Sequence, residues 1–191
     1  MKGVWLFVIG AFSGATVTAF PRVASHLHAA LRGGSGGRRD SGIARARSEE
    51  KFSFTARAPI ERVAPLFGAN KERLWAPGWD PHFVYPVPGS DEEGMVFTVA
   101  HRHLSSVWVN TEFDPKAGRF RYVYLIPDTM VTIITLRLMP EGNQTRVEVE
   151  YDRTALSEEG DAHVRLMGEQ DRGSGPDWAK QVNEYLEKGK G

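Results

Sequence analysis

The chain contains no cysteine among its 191 residues, which excludes disulfides and thiolate metal sites. It has no net charge either, with 24 basic and 24 acidic residues. That neutrality hides an asymmetry. Residues 1–49 hold seven bases against two acids, a net +5, so the remainder carries −5. An acidic body lacks the clustered Lys and Arg that phosphate-backbone binding requires, which disfavours nucleic acid. No Gly-rich phosphate loop, G-x-S-x-G elbow or H-E-x-x-H occurs, so nucleotide, triad and zinc-protease chemistries have no support. No cofactor is implied.

Long apolar runs are also scarce. The exception is Val4 to Phe20, 17 uncharged residues behind Lys2. Bases on its C-terminal side (Arg22, Arg32, Arg38, Arg39) favour an uncleaved anchor with the domain in the cytoplasm. Export after signal cleavage is the alternative, with a weak small-residue site at Val23-Ala24-Ser25. Residues 1–25 thus read as an anchor or signal segment, 26–48 as a Gly/Arg-rich flexible linker, and 49–190 as a folded domain.

Within that domain, period-2 alternation and turn residues predict seven strands. The first covers Glu50 to Arg57, and two short helices follow it, one beginning at Pro59 and one near Asn70 to Leu74. Strands at His82–Val87, Met95–Arg102, Ser105–Phe113, Phe120–Ile126, Met130–Met139 and Thr145–Tyr151 then succeed one another through tight turns, which requires antiparallel pairing. Ser157-Glu-Glu opens a helix to about Gln170; Gly173-Ser-Gly-Pro176 breaks or kinks it before Trp178, Val182, Tyr185 and Leu186 continue an apolar face.

This order, with Glu72-x-x-Trp75-x-x-Gly78-Trp79, Gly94-x-x-Phe97, Val107-Trp108-Val109, Phe113-Asp114-Pro115 and Tyr151-x-x-Thr154-Ala155-Leu156-Ser157-x-x-Gly160, resembles a bacterial subgroup of the START-like, helix-grip superfamily. That superfamily holds polyketide cyclase/dehydrase and lipid transport proteins of the SRPBCC type. The resemblance covers about residues 50–190. It implies an α+β fold in which a curved seven-stranded antiparallel sheet wraps a long C-terminal helix, leaving an apolar cavity for a hydrophobic small molecule or lipid. Trp75, Trp79, Phe83, Phe97, Phe120, Tyr122, Tyr124, Val147, Val149, Tyr151 and Met167 are the expected cavity residues.

Each candidate has a plainer explanation beside the functional one. Trp75 and Trp79 could form a lid or simply pack. Phe120, Tyr122 and Tyr124 share an inward face, and their hydroxyls need partners. Trp108 shares parity with Asn110 and Glu112, which points it outward unless a bulge intervenes. His101 and His103, with His82 one strand earlier, lack a further ligand at supporting spacing, so no metal is expected. Glu72 and Asp80 bracket the tryptophan loop and could act as a paired acid and base, while the plainer reading of Glu72-Arg73 is surface charge on a short helix. Three functions follow: a carrier or sequestering module near a membrane; a cyclase or dehydratase using His101, Tyr122 or Tyr124 for proton transfer; or a protein-interaction module.

Overall fold

Alternation of apolar and polar side chains places six inward-facing runs on one side of a single sheet. The computed structural model describes residues 44–101 and 104–189. The segment Val4 to Phe20 and residues 26–43 of the linker lie outside the described residues, and among those described no helix is long and apolar enough to cross a membrane.

The strands are β1 (Arg47–Ala56), β2 (Pro81–Tyr85), β3 (Val96–His101), β4 (Leu104–Asp114), β5 (Arg119–Ile126), β6 (Met130–Glu141) and β7 (Gln144–Ala155). They form one seven-stranded antiparallel sheet in the order β1-β7-β6-β5-β4-β3-β2. β1 begins at Arg47, inside the stretch that reads as linker, because it pairs with the full length of β7 from Arg47↔Thr154 to Ala56↔Thr145. After β1 come α1 (Ile60–Val63), a 3-10 turn (Ala64–Phe67) and α2 (Ala69–Glu72). Their buried residues Val63, Leu66, Phe67 and Ala69 close one end of the sheet's concave face.

The long C-terminal helix is two helices, α3 (Glu158–Arg172) and α4 (Gly175–Lys188). Ser157 caps α3 by accepting from the Gly160 amide at 3.0 Å. Gly160 is required there for space: a Cβ would lie 1.9 Å from the Thr129 carbonyl oxygen, where the helix docks on the β5–β6 turn. α4 brings Trp178, Val182 and Leu186 into the core. Asn183 ties it to the edge of β1, accepting from the Arg57 amide at 2.7 Å and donating to the Thr55 carbonyl at 3.0 Å.

A β-bulge in β4 between Asn110 and Glu112 corrects the expectation for Trp108. Before the bulge the even residues Ser106, Trp108 and Asn110 are buried; after it Phe113 packs on Phe120 with centroids 5.2 Å apart. The extra residue resets the parity, so Glu112 does not report which way Trp108 faces.

Candidate functional site

Three layers of aromatic rings meet between the middle of the sheet and α4. Trp108 stacks on Tyr124 at 4.3 Å and on Phe97 at 5.5 Å, while Trp79 meets both Trp108 and Phe97 edge-on. On the α4 side Trp178 stacks against Phe67 at 6.3 Å and contacts Trp75 at 5.5 Å. Offset and edge-to-face arrangements of this kind hold rings in fixed positions. They leave a hollow of about 20 Å³, room for a single water-sized group. Its walls are Trp79, Phe97, Trp108, Tyr122, Tyr151 and Trp178, completed by Ala69, Ile134, Leu136 and Glu72.

Nearly every polar group of the rings is already engaged by the protein. The indole nitrogens of Trp75, Trp79 and Trp108 donate to the Leu66 carbonyl (2.7 Å), the Ala69 carbonyl (2.7 Å) and Ser106 Oγ (2.8 Å). The Tyr122 hydroxyl donates to the Phe67 carbonyl. Among the described residues, the Glu72 carboxyl and the Tyr151 hydroxyl are the hollow's polar groups with no protein hydrogen-bond partner.

Glu72 is the last residue of α2, and this placement corrects its expected surface role. The residue is half-buried, and it lines the hollow together with the rings. Burial, reinforced by the nearby Asp91 carboxylate, raises its pKa well above the ordinary value near 4.5. No Lys, Arg or His forms an ion pair with it among the described residues. Asp91 is itself raised by burial, an effect opposed by the hydrogen bond it accepts from the Asn70 amide at 2.7 Å. Burial also raises Tyr122 and Tyr151 well above the usual phenol range, with Glu72 adding to both.

Behind Tyr151 the interior is differently built. Arg153 is fully buried and binds Asp171 of α3 through two hydrogen bonds, 2.6 and 2.9 Å. It also donates to Thr132 at 3.1 Å and to the Tyr124 hydroxyl, and its guanidinium sits 4.6 Å from the Tyr151 ring centre. Burial works against the guanidinium charge, but Tyr124 and Asp171 hold Arg153 firmly protonated.

Of the residues expected at the cavity, Trp79, Phe97, Tyr122 and Tyr151 line the hollow. Trp75, Phe120, Tyr124, Val147, Val149 and Met167 are buried in the surrounding core, and Phe83 packs against Phe97 at the sheet's edge. Sequence reasoning did not place Trp108, Trp178, Ile134 or Leu136 at the cavity, and it set Glu72 on the surface. His82 is exposed on β2, His101 ends β3 with its backbone opposite Leu104, and His103 lies outside the described residues. No three His, Cys, Asp or Glu side chains gather as metal ligands among the described residues. Two larger concavities, about 230 and 300 Å³, lie on the outer face of the sheet. Their walls are charged and mutually neutralised, as in Arg119–Glu112 (2.8 Å) and Arg146–Glu148 (3.1 Å), and they lack an apolar enclosure.

No protein-family model and no curated protein matches the sequence. Solved structures do match in shape. Norcoclaurine synthase from Thalictrum flavum, in complex with dopamine and hydroxybenzaldehyde, aligns with a TM-score of 0.57 at 10% identity, covering 88% of this chain and 99% of that one. Ara h 8.0201 aligns at 0.53 and 13% identity, over 74% and 98%. DynU16, from the dynemicin biosynthetic locus, aligns at 0.51 and 14% identity; the match covers 74% of this chain but only 48% of DynU16. At these identities the likeness establishes the fold. The domain has the helix-grip fold.

Proposed function

We propose that this helix-grip domain binds a hydrophobic small molecule in the hollow beneath Trp178, carrying or sequestering it. The observation that carries the reading is the lining itself: six aromatic side chains face one space, and the Trp79 and Trp108 indoles and the Tyr122 hydroxyl are bonded within the protein. Such walls recognise apolar surface and leave few polar groups to fix orientation. A whole ligand exceeds a water-sized space, so binding requires rings to part. Trp178 is the wall carried on a separate helix, beyond the Gly173–Ser174 break.

The test is native mass spectrometry of the full chain purified gently from its host, followed by solvent extraction. A reproducible apolar adduct, absent from an Ile134→Phe variant that fills the hollow, is the expected result. A chain that stays empty after incubation with host lipid extract sinks the carrier reading. Tethering at a membrane through residues 4–20 belongs to the same proposal and rests on that uncharged run. Release of the protein from membranes by an alkaline carbonate wash argues against it.

A second reading draws on Glu72. A carboxyl whose pKa is raised by burial can donate a proton to a substrate held against it, as a cyclase or dehydratase requires. Turnover that Glu72→Gln abolishes while leaving binding intact would select that reading.

A further inference from the structure

Building on the binding reading, we infer that the ligand is a small primary amine with an apolar body, its ammonium head seated in the hollow against Glu72. Three observations meet on this class. The first is sign: Glu72 is the hollow's one acid, and none of its walls is basic. Arg153, the buried base behind Tyr151, is already bound to Asp171 and Tyr124. The second is the wall. Trp79, Trp108, Phe97, Tyr122, Tyr151 and Trp178 offer aromatic rings, whose faces attract organic cations. The third is size. About 20 Å³ already accommodates a group the size of –NH3+, so only the apolar body requires rings to part, whereas a trimethylammonium head requires further opening. The Tyr151 hydroxyl, without a protein partner, can accept a second ammonium hydrogen.

Binding has a proton ledger. Without ligand, burial and the Asp91 carboxylate favour the neutral form of the Glu72 carboxyl, with Tyr122 and Tyr151 as its other titratable neighbours and Lys71 and Arg73 acting on Asp91. A bound alkylammonium stabilises the carboxylate, so one proton passes from Glu72 to solvent for each ligand taken up. Below the raised pKa of Glu72, affinity therefore climbs about tenfold per pH unit and then levels off.

The experiment titrates the full chain and its Glu72→Gln variant with hexylamine, hexanol and hexyltrimethylammonium. Calorimetry in buffers of different ionisation heat counts protons, and tryptophan emission reports occupancy of the hollow. Partition of probes into detergent is common to both proteins and cancels in the comparison. The inference expects hexylamine to bind the wild-type chain at least about tenfold more tightly than the other two probes, with one proton released. Glu72→Gln, a near-isosteric change, should erase that preference and the proton release while keeping hexanol binding. Equal affinity for hexanol and hexylamine, or undiminished hexylamine binding by Glu72→Gln, overturns the amine assignment and leaves the apolar binding site standing. If no probe binds and purified chain carries no adduct, both fall together.

Discussion

Two carboxyls lie inside this domain within one layer of side chains of each other, and they are treated in opposite ways. Asp171 reaches in from α3 and meets a bidentate guanidinium at 2.6 and 2.9 Å. Glu72 reaches in from α2 and meets tryptophan, tyrosine and empty space. Burial raises both pKa values, but only at Asp171 does a hydrogen-bonded cation pull in the other direction. A buried charge is tolerated when its partner and remaining hydrogen bonds are supplied. Arg153 has them, from Asp171, Thr132, Tyr124 and the Tyr151 ring, so it fastens α3 to β5, β6 and β7. Glu72 fastens nothing. An acid placed where it costs stability and ties no elements together is a candidate functional group, as the proposed binding role requires.

The largest way to break this contrast is to remove the clamp. Arg153→Met leaves Asp171 buried without its cation and should cost about 3–5 kcal/mol of unfolding free energy, measured by urea denaturation. Arg153→Met with Asp171→Leu removes both charges and should recover most of that loss. A single substitution costing less than the double one would mean that Asp171 is not the group Arg153 serves.

How far the sequence carried the argument depended on the length of each alternating run. β5 was legible because Phe120, Tyr122, Tyr124 and Ile126 alternate without interruption, and every one is buried. Arg153 was legible in principle: it shares the inward parity of Val147, Val149 and Tyr151, and a charge on that face demands a partner. Ending the strand at Tyr151 hid it by two residues. Trp108 was hidden by the bulge, since one inserted residue reverses the parity of everything beyond. Glu72 was visible as the head of the tryptophan motif, but its inward direction was not. α2 is four residues long, too short to show an amphipathic face, and its inward turn depends on packing from β5, β7 and α4.

The next effect is a pH dependence with its sign set by Glu72. Between the ordinary value near 4.5 and the raised folded value, the native protein keeps a proton that the unfolded chain has lost. Stability contributed by this site is therefore greatest below pH 4.5 and falls as pH rises, at about 1.4 kcal/mol per unit, until the folded carboxyl ionises. Glu72→Gln should flatten that slope and leave the variant more stable than wild type at pH 7. Urea titrations from pH 5 to 8 measure it, and parallel curves for the two proteins would remove Glu72 from the desolvated class.

The smallest effects separate two tyrosines on the same strand. Tyr124 gives its hydroxyl to the clamp and Tyr122 gives its own to the Phe67 carbonyl at the rim of the hollow. Tyr124→Phe removes a bond to a charged group and should cost about 1.5–3 kcal/mol. Tyr122→Phe removes a neutral bond and should cost about 1 kcal/mol. The second variant is the sharper one for function. Its ring still walls the hollow, and the lost hydroxyl was aimed at backbone. Ligand affinity should therefore stay within about twofold of wild type, well below the tenfold that one pKa unit of interaction represents. A larger loss would show that the Tyr122 hydroxyl leaves Phe67 for the ligand, moving it from the wall to the polar set of Glu72 and Tyr151.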